Sequence, residues 1–320
     1  MDNCLPLQTI ASKHMQTTLD KIHNQGLRFV CGGIRTTPTA ACEIDANIEP
    51  QDIRRNRALL ETIEQYKRLE TNHPNRTIVD KWQQNRRLKL RSPLDVANEL
   101  EEKHHLPSER EKISRCPGFP PWLELREPII KTTLLDKTAN KETLPPLLKT
   151  CTLETIASYP TSAIHAYTDG SAFKAIAFAG CGAHLKYPDG SIYNFSAPTG
   201  EICSNYEAEI VAIKTAIKLI HRQFDQNEHA ATDIIVFTDS MSALKALENP
   251  HQDKASKVVT LSHTIHSLLT SYNIQITLQW IPGHNGICGN EKADQLAKEG
   301  SSKPQPNKAV SQGTTTDPQE

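Results

Sequence analysis

Four carboxylates, Asp169, Glu209, Asp239 and Asp294, and one histidine, His284, stand at the ends or on the faces of segments whose apolar patterns mark them as core elements. An unpaired charge in such a place is costly, and a cation or a basic partner is the usual reason for it. An all-oxygen ligand set suits Mg²⁺, with Mn²⁺ as the alternative, better than Zn²⁺. Three or four converging carboxylates also suit two divalent ions about 4 Å apart, which clamp the attacking water and the leaving oxygen of a phosphodiester. The chemistry expected is phosphodiester hydrolysis.

Taken singly, the acids differ in what they say. Asp169 precedes Gly170 in HAYTDGSA, and an Asp-Gly pair is more often a turn than a ligand. Asp239 closes DIIVFTDS at the carboxyl edge of a strand, where open α/β sheets place ligands, but where Asp239 or Ser240 could equally cap the next helix. Glu209 has support of its own. In a helix over 205–224, Ile213, Ala216, Ile217, Ile220 and Phe224 form one stripe, and Glu209 falls inside it. Glu207 rotates to the opposite face with Lys214, Lys218 and Arg222, where solvent exposure is expected. His284 lies in a Gly-rich loop ten residues before Asp294. A lone loop histidine is ordinarily a surface residue, but beside carboxylates it can carry a proton near neutral pH.

These side chains need a scaffold. After Pro160 the sequence alternates between short β-branched or aromatic runs and helical patterns: strands near 163–173, 176–187 and 191–198, a helix over 205–224, a strand at 233–239, helices at 240–248 and 255–271, a strand at 274–281 and a helix at 290–299. The order βββαβααβα describes a five-stranded mixed sheet with helices on both faces, an α/β fold. Before it, helices are expected over 13–31, with Leu19, Ile22, Leu27 and Val30 on one stripe, over 52–69, and over 95–104. Residues 1–105 therefore form a mainly helical region, and 106–161, with recurrent prolines, an extended connector. The core domain runs over 162–301, and 302–320, poor in large apolar side chains, should be a disordered tail.

The chain has 320 residues, 37% apolar and 23% charged, enough for two ordinary domains. No apolar run approaches the roughly 20 residues of a membrane span, so no membrane association is expected. The eight cysteines form no C-x-x-C pair and read as reduced thiols of an intracellular protein, with cytoplasm and nucleus not distinguished. A net charge of −1 leaves polyanion binding to local patches. Arg54, Arg55 and Arg57 form one candidate, and Arg86, Arg87, Lys89 and Arg91 another, each as readily a solvated helix face as a phosphate contact.

Four fragments occur in order at suitable separations: YTDGS at 167–171, SNYEAE at 204–209, FTDS at 237–240, and WIPGH followed by GNEKAD over 280–294. Together they resemble the ribonuclease H family, type 1, over about 140 residues. The resemblance implies a ribonuclease H-like fold and endonucleolytic cutting of the RNA strand of an RNA-DNA hybrid, leaving 3′-hydroxyl and 5′-phosphate ends. It implies that Asp169 bridges two Mg²⁺ ions, that Glu209 and Asp239 complete one site, and that Asp294 holds the ion on the nucleophile side. It casts His284 as the proton carrier or aid to product departure, and Ser204 and Asn205 as contacts to backbone and minor groove, where a 2′-hydroxyl marks RNA. The hybrid is the only partner implied; nothing in the sequence demands a protein partner. The stretch LDKIHNQGLRFVCGGIRTTPTAA, followed by DIRRNRALL, is similar to the segment after the polymerase in arthropod non-LTR retrotransposon polyproteins, although a Tyr-x-Asp-Asp polymerase pattern is absent. Two rivals share the pattern: a catalytically silent, nucleic-acid-binding remnant of the same fold, and a DNA-cutting relative of the integrase kind, whose terminal acidic motif differs.

Overall fold

The computed structural model describes residues 4–83, 91–106, 108–112, 126–136, 143–175, 177–225, 233–248, 256–308 and 310. The chain divides into two compact units at Ile113/Ser114. The first is helical: α1 (Leu5–Gln8), α2 (Lys13–Val30), α3 (Thr39–Asp45), α4 (Gln51–Lys67), α5 (Pro74–Lys81) and α6 (Pro93–Lys103). Its small core joins Leu59 and Ile63 of α4 to Ala97 of α6. Ser92 starts α6 with a reciprocal cap, its hydroxyl and the Asp95 carboxylate each taking a backbone N–H.

Two expectations for this unit need correction. Of the α2 stripe only Leu27 is buried, while Ile22 is 46% and Val30 74% exposed, because the main packing partner of α2 in the unit is the short α3. Of the first basic patch, Arg55 is buried, paired with Asp20 and hydrogen-bonded to Gln8 Oε1, so it is no phosphate contact; Arg57 pairs with Glu49 at 2.7 Å. Arg86, Arg87 and Lys89 lie outside the described residues, and Arg91 pairs with Glu99.

The second unit is built on one mixed sheet of β1 (Ile129–Lys131), β2 (Ile164–Phe173), β3 (Ala177–Lys186), β4 (Ile192–Ile202), β5 (Ile234–Thr238) and β6 (Ile276–Trp280), in the order β1-β6-β5-β2-β3-β4. Strands β2, β3 and β4 are antiparallel neighbours, and β2, β5, β6 and β1 run parallel. The helices are α7 (Pro145–Ala157), α8 (Asn205–Asp225), α9 (Met241–Glu248), α10 (Ser256–Tyr272) and α11 (Cys288–Ser301). The order βββαβααβα is the one read from the sequence, but the sheet has six strands, not five. The sixth, β1, comes from the expected connector, whose described part also forms α7. Pro145 and Pro146 favour that helix because they sit in its first turn, where no N–H is needed. The connector's prolines at 107, 117, 120 and 121 lie outside the described residues.

Each face of the sheet carries its own core. Ile164, Ala166, Ile234 and Val236 pack with Ile213, Ile217 and Ile220 of α8, while Tyr167, Ile235 and Phe237 pack with Ala293 of α11. Close approach of α11 requires glycine: a Cβ on Gly182 would lie 2.5 Å from Ala297 N. Ile217 is fully buried, and Ile217→Ala should cost about 2–5 kcal/mol, read as a lower denaturation midpoint at unchanged m-value. Part of the expected tail is also seated: Lys303 Nζ donates to Ser196 O at 2.6 Å, Gln305 Oε1 accepts from Gly200 N at 3.0 Å, and Val310 is buried. Residues 309 and 311–320 lie outside the described residues. Among the described residues no helix is long and apolar enough to cross a membrane, and the cysteines are free thiols.

Candidate active site

The parallel register pairs Thr168 of β2 with Thr238 of β5, so the next residue on each strand, Asp169 and Asp239, comes out side by side at the carboxyl edge of the sheet. Glu209 reaches the same place from the first turns of α8, because Gly170 lets that helix lie on β2: a Cβ there would sit 2.5 Å from the Ala208 carbonyl carbon. Ligand oxygens of Asp169, Glu209 and Asp239 all lie within 4.8 Å of one another. Asp294 of α11 joins them as a hydrogen-bonded neighbour of Asp169. With His284 and Asn205 these four acids line one cleft, together with Ser240, Met241 and Lys298. Ser204 does not line it. Its hydroxyl accepts from Glu207 N at 3.2 Å and caps α8.

Glu207 corrects the sequence reading. It does face away from the acids, as its helical phase requires, yet it is buried, because α10 covers the outer face of α8 and Lys257 Nζ donates to its carboxylate at 2.8 Å. Glu209 differs in chemistry: Gly170 N–H serves one part of its carboxylate, but its buried Oε2 has no hydrogen-bond partner among the described residues.

For Asp169 and Glu209 burial is the first cause of proton retention, and repulsion from neighbouring carboxylates the second. Asp169 is pushed up to about 8, with Asp239 and Asp294 adding to the effect of burial and Lys298 opposing it. Glu209 is raised well above the carboxylate range by burial and then by Asp169 and Asp239. Asp239 is also raised by burial, against a hydrogen bond from Asn290 and the attraction of His284. Lys298 is held above its ordinary value by its hydrogen bond to Asp294, 2.6 Å away.

Folding therefore takes protons up, and the sign follows: this contribution is full below the unfolded carboxylate value and is lost as pH rises through the folded one. In chelator, the wild type should lose thermal stability relative to Asp169→Asn between about pH 5 and pH 8, and Mg²⁺ should restore it. Scanning calorimetry of both proteins checks this; parallel pH curves with no response to Mg²⁺ would contradict it.

Two contributors escaped the sequence reading. Lys298 could have been found one turn beyond Asp294 on the same helix face. Asn290, 4% exposed and bonded to Asp239, stands one turn before Asp294 inside the GNEKAD fragment and could have been found the same way.

The family model described as RNase H matches residues 161–302. The ribonuclease H of Albidiferax ferrireducens is 29% identical over 142 residues, 43% of this chain and 94% of that protein. That of Francisella philomiragia is 31% identical over 145 residues, covering 42% of this chain and 88% of the relative. This chain belongs to the ribonuclease H family. The family is one of hydrolytic nucleases, and the ribonuclease H domain here has the fold expected of it. Solved structures similar to it include RNase H1 of Halobacterium salinarum, at 24% identity and TM-score 0.34, covering 43% of this chain and 96% of that one. Another is LC11-RNase H1, crystallised with an RNA/DNA hybrid, at 20% identity and TM-score 0.36, covering 43% and 99%.

Proposed function

We propose that the second unit is an endonuclease that hydrolyses the RNA strand of RNA-DNA hybrids. The observation that carries this reading is the convergence of Asp169, Glu209 and Asp239 within 4.8 Å in a chain of this family. Carboxylates held this close repel one another when ionised, and Glu209 Oε2, buried and with no hydrogen-bond partner among the described residues, leaves an acceptor for a hard cation. Asp169, Glu209, Asp239 and Asp294 would hold two divalent cations, Mg²⁺ by ligand chemistry. Bound there, the ions would supply charge stabilisation and an activated water to a phosphodiester.

The chain's own residues do the rest. Water oxygen bonds to phosphorus, the bond to the 3′ oxygen breaks, and the proton shed by the water ends on that oxygen, leaving 3′-hydroxyl and 5′-phosphate ends. His284, exposed at the cleft, would relay that proton from the water toward the leaving 3′ oxygen. Asn205, on the cleft wall, would meet a 2′-hydroxyl of the RNA strand. Lys298 adds a positive charge beside Asp294 that favours phosphate. The type 1 assignment and an origin in an arthropod-type non-LTR retroelement rest on the motifs at 167–294 and on the stretch over 19–41. The test labels each strand of a hybrid in turn: RNA fragments with 5′-phosphate ends and an intact DNA strand are expected, and equal cutting of both strands would overturn the reading.

A further inference from the structure

The loop that carries His284 is fastened at both ends, and one fastening lies outside the residues that match the family. On the cleft side, Gly283 lies against the Asp239 carboxylate, where a Cβ would come 3.3 Å from its Cγ. On the far side the loop meets α7, which precedes residue 161, where the family match begins. The Asn285 amide, turned to satisfy both partners, donates to Pro145 O at 3.3 Å and accepts from Lys149 N at 3.0 Å, bridging one turn of that helix. The Lys149 side chain crosses the next residue, since a Cβ on Gly286 would meet its Nζ at 2.7 Å. Ile287 is buried in the cluster that also takes Ile156 of α7 and Tyr159 just beyond it. Between these holds His284 is kept in the left-handed backbone region, at φ 51°, which a non-glycine residue adopts at a cost.

We propose that α7 is a positioning element of the active site, acting through Asn285 to fix the direction from which His284 addresses the cleft. The helix itself is anchored to the sheet: Leu148 and Cys151 are in the main core, and Tyr159 OH donates to Gln279 Oε1 of β6 at 2.7 Å. A loop bonded to such a support keeps one geometry, and fixed geometry is what a proton carrier needs. The inference rests on the role proposed above for His284.

The test is a double-mutant cycle on the full chain with an RNA-DNA hybrid as substrate, measuring kcat and KM separately. Asn285→Ala should lower kcat about tenfold with KM nearly unchanged. In a His284→Ala background the same change should cost nothing further. Asn285→Asp keeps the acceptor for Lys149 N–H but turns a carboxylate oxygen on Pro145 O, so it should lower kcat as Asn285→Ala does, and it carries the test if Asn285→Ala folds poorly. A wild-type kcat for Asn285→Ala, or equal losses with and without His284, would overturn the inference while leaving the proposed function standing. A wild-type rate for His284→Ala would overturn the role of His284 and this inference together. Failure of the wild type to cut hybrid at all would instead strike at the proposed function.

Discussion

Asp169→Asn should abolish cleavage, by about 10³-fold or more in kcat, equivalent to ~4 kcal/mol of barrier, while making the metal-free protein more stable. Both effects have one cause. Asp169 is buried at the centre of the acidic cluster, next to Asp239 and bonded to Asp294, and it holds its proton up to about 8. Asn keeps the volume and is neutral in both states, so folding no longer has to neutralise a carboxylate that is charged in the unfolded chain, and the melting temperature in chelator near neutral pH rises by several degrees. The same exchange removes a ligand on which the proposed ions depend, so Mg²⁺ should stabilise the variant far less than the wild type. Activity assays beside calorimetry with and without Mg²⁺ read out both halves. An active variant would show that the reaction does not need Asp169, and one that fails to fold would show that Asp169 serves the structure.

Gly170→Ala should have the other large effect, on fold and activity together. The added methyl would press on backbone, lying 2.5 Å from the Ala208 carbonyl carbon and 2.9 Å from Ala208 Cβ, with Glu209 N also in its way. Backbone cannot swing aside as a side-chain tip can. Helix α8 must lift from β2 at the turn that delivers Glu209, at a cost of about 3 kcal/mol or more. Gly190→Ala is the control. Gly190 has φ 86° but open space around it, so alanine there should cost only about 1 kcal/mol and leave cleavage intact. Chemical denaturation and hybrid cleavage of both variants make the comparison; a wild-type rate for Gly170→Ala would show that Glu209 does not need its present placement.

What could be read in advance follows from how each signal is encoded. Glu209 was legible from helical phase alone, since its position on α8 shares a stripe with Ile213 and Ile220. The pairing of Asp169 with Asp239 could not be derived from either segment, because it depends on the register of β2 with β5, a property of two strands. Glu207 shows the limit of phase: it tells which way a side chain points, not what lies there, and α10 turns the outward face into an interior one. Strand β1 was hidden by being three residues long, too short for alternation to register, and α7 by its opening prolines, which read as breakers yet start a helix. The support that α7 gives to Asn285 was for the same reason invisible. The exposed Ile22 and Val30 of α2 mark the converse case, a clear amphipathic stripe that its own unit leaves largely uncovered.

The measurement that bears most directly on the whole account is the initial rate of Mg²⁺-dependent cleavage of a labelled RNA-DNA hybrid beside matched RNA and DNA duplexes of the same sequence. Hybrid cleavage confined to the RNA strand, with both duplexes left intact and the signal absent in Asp169→Asn, is the predicted result. Equal cleavage of the DNA duplex, or no cleavage of any substrate by well-folded protein, would contradict it.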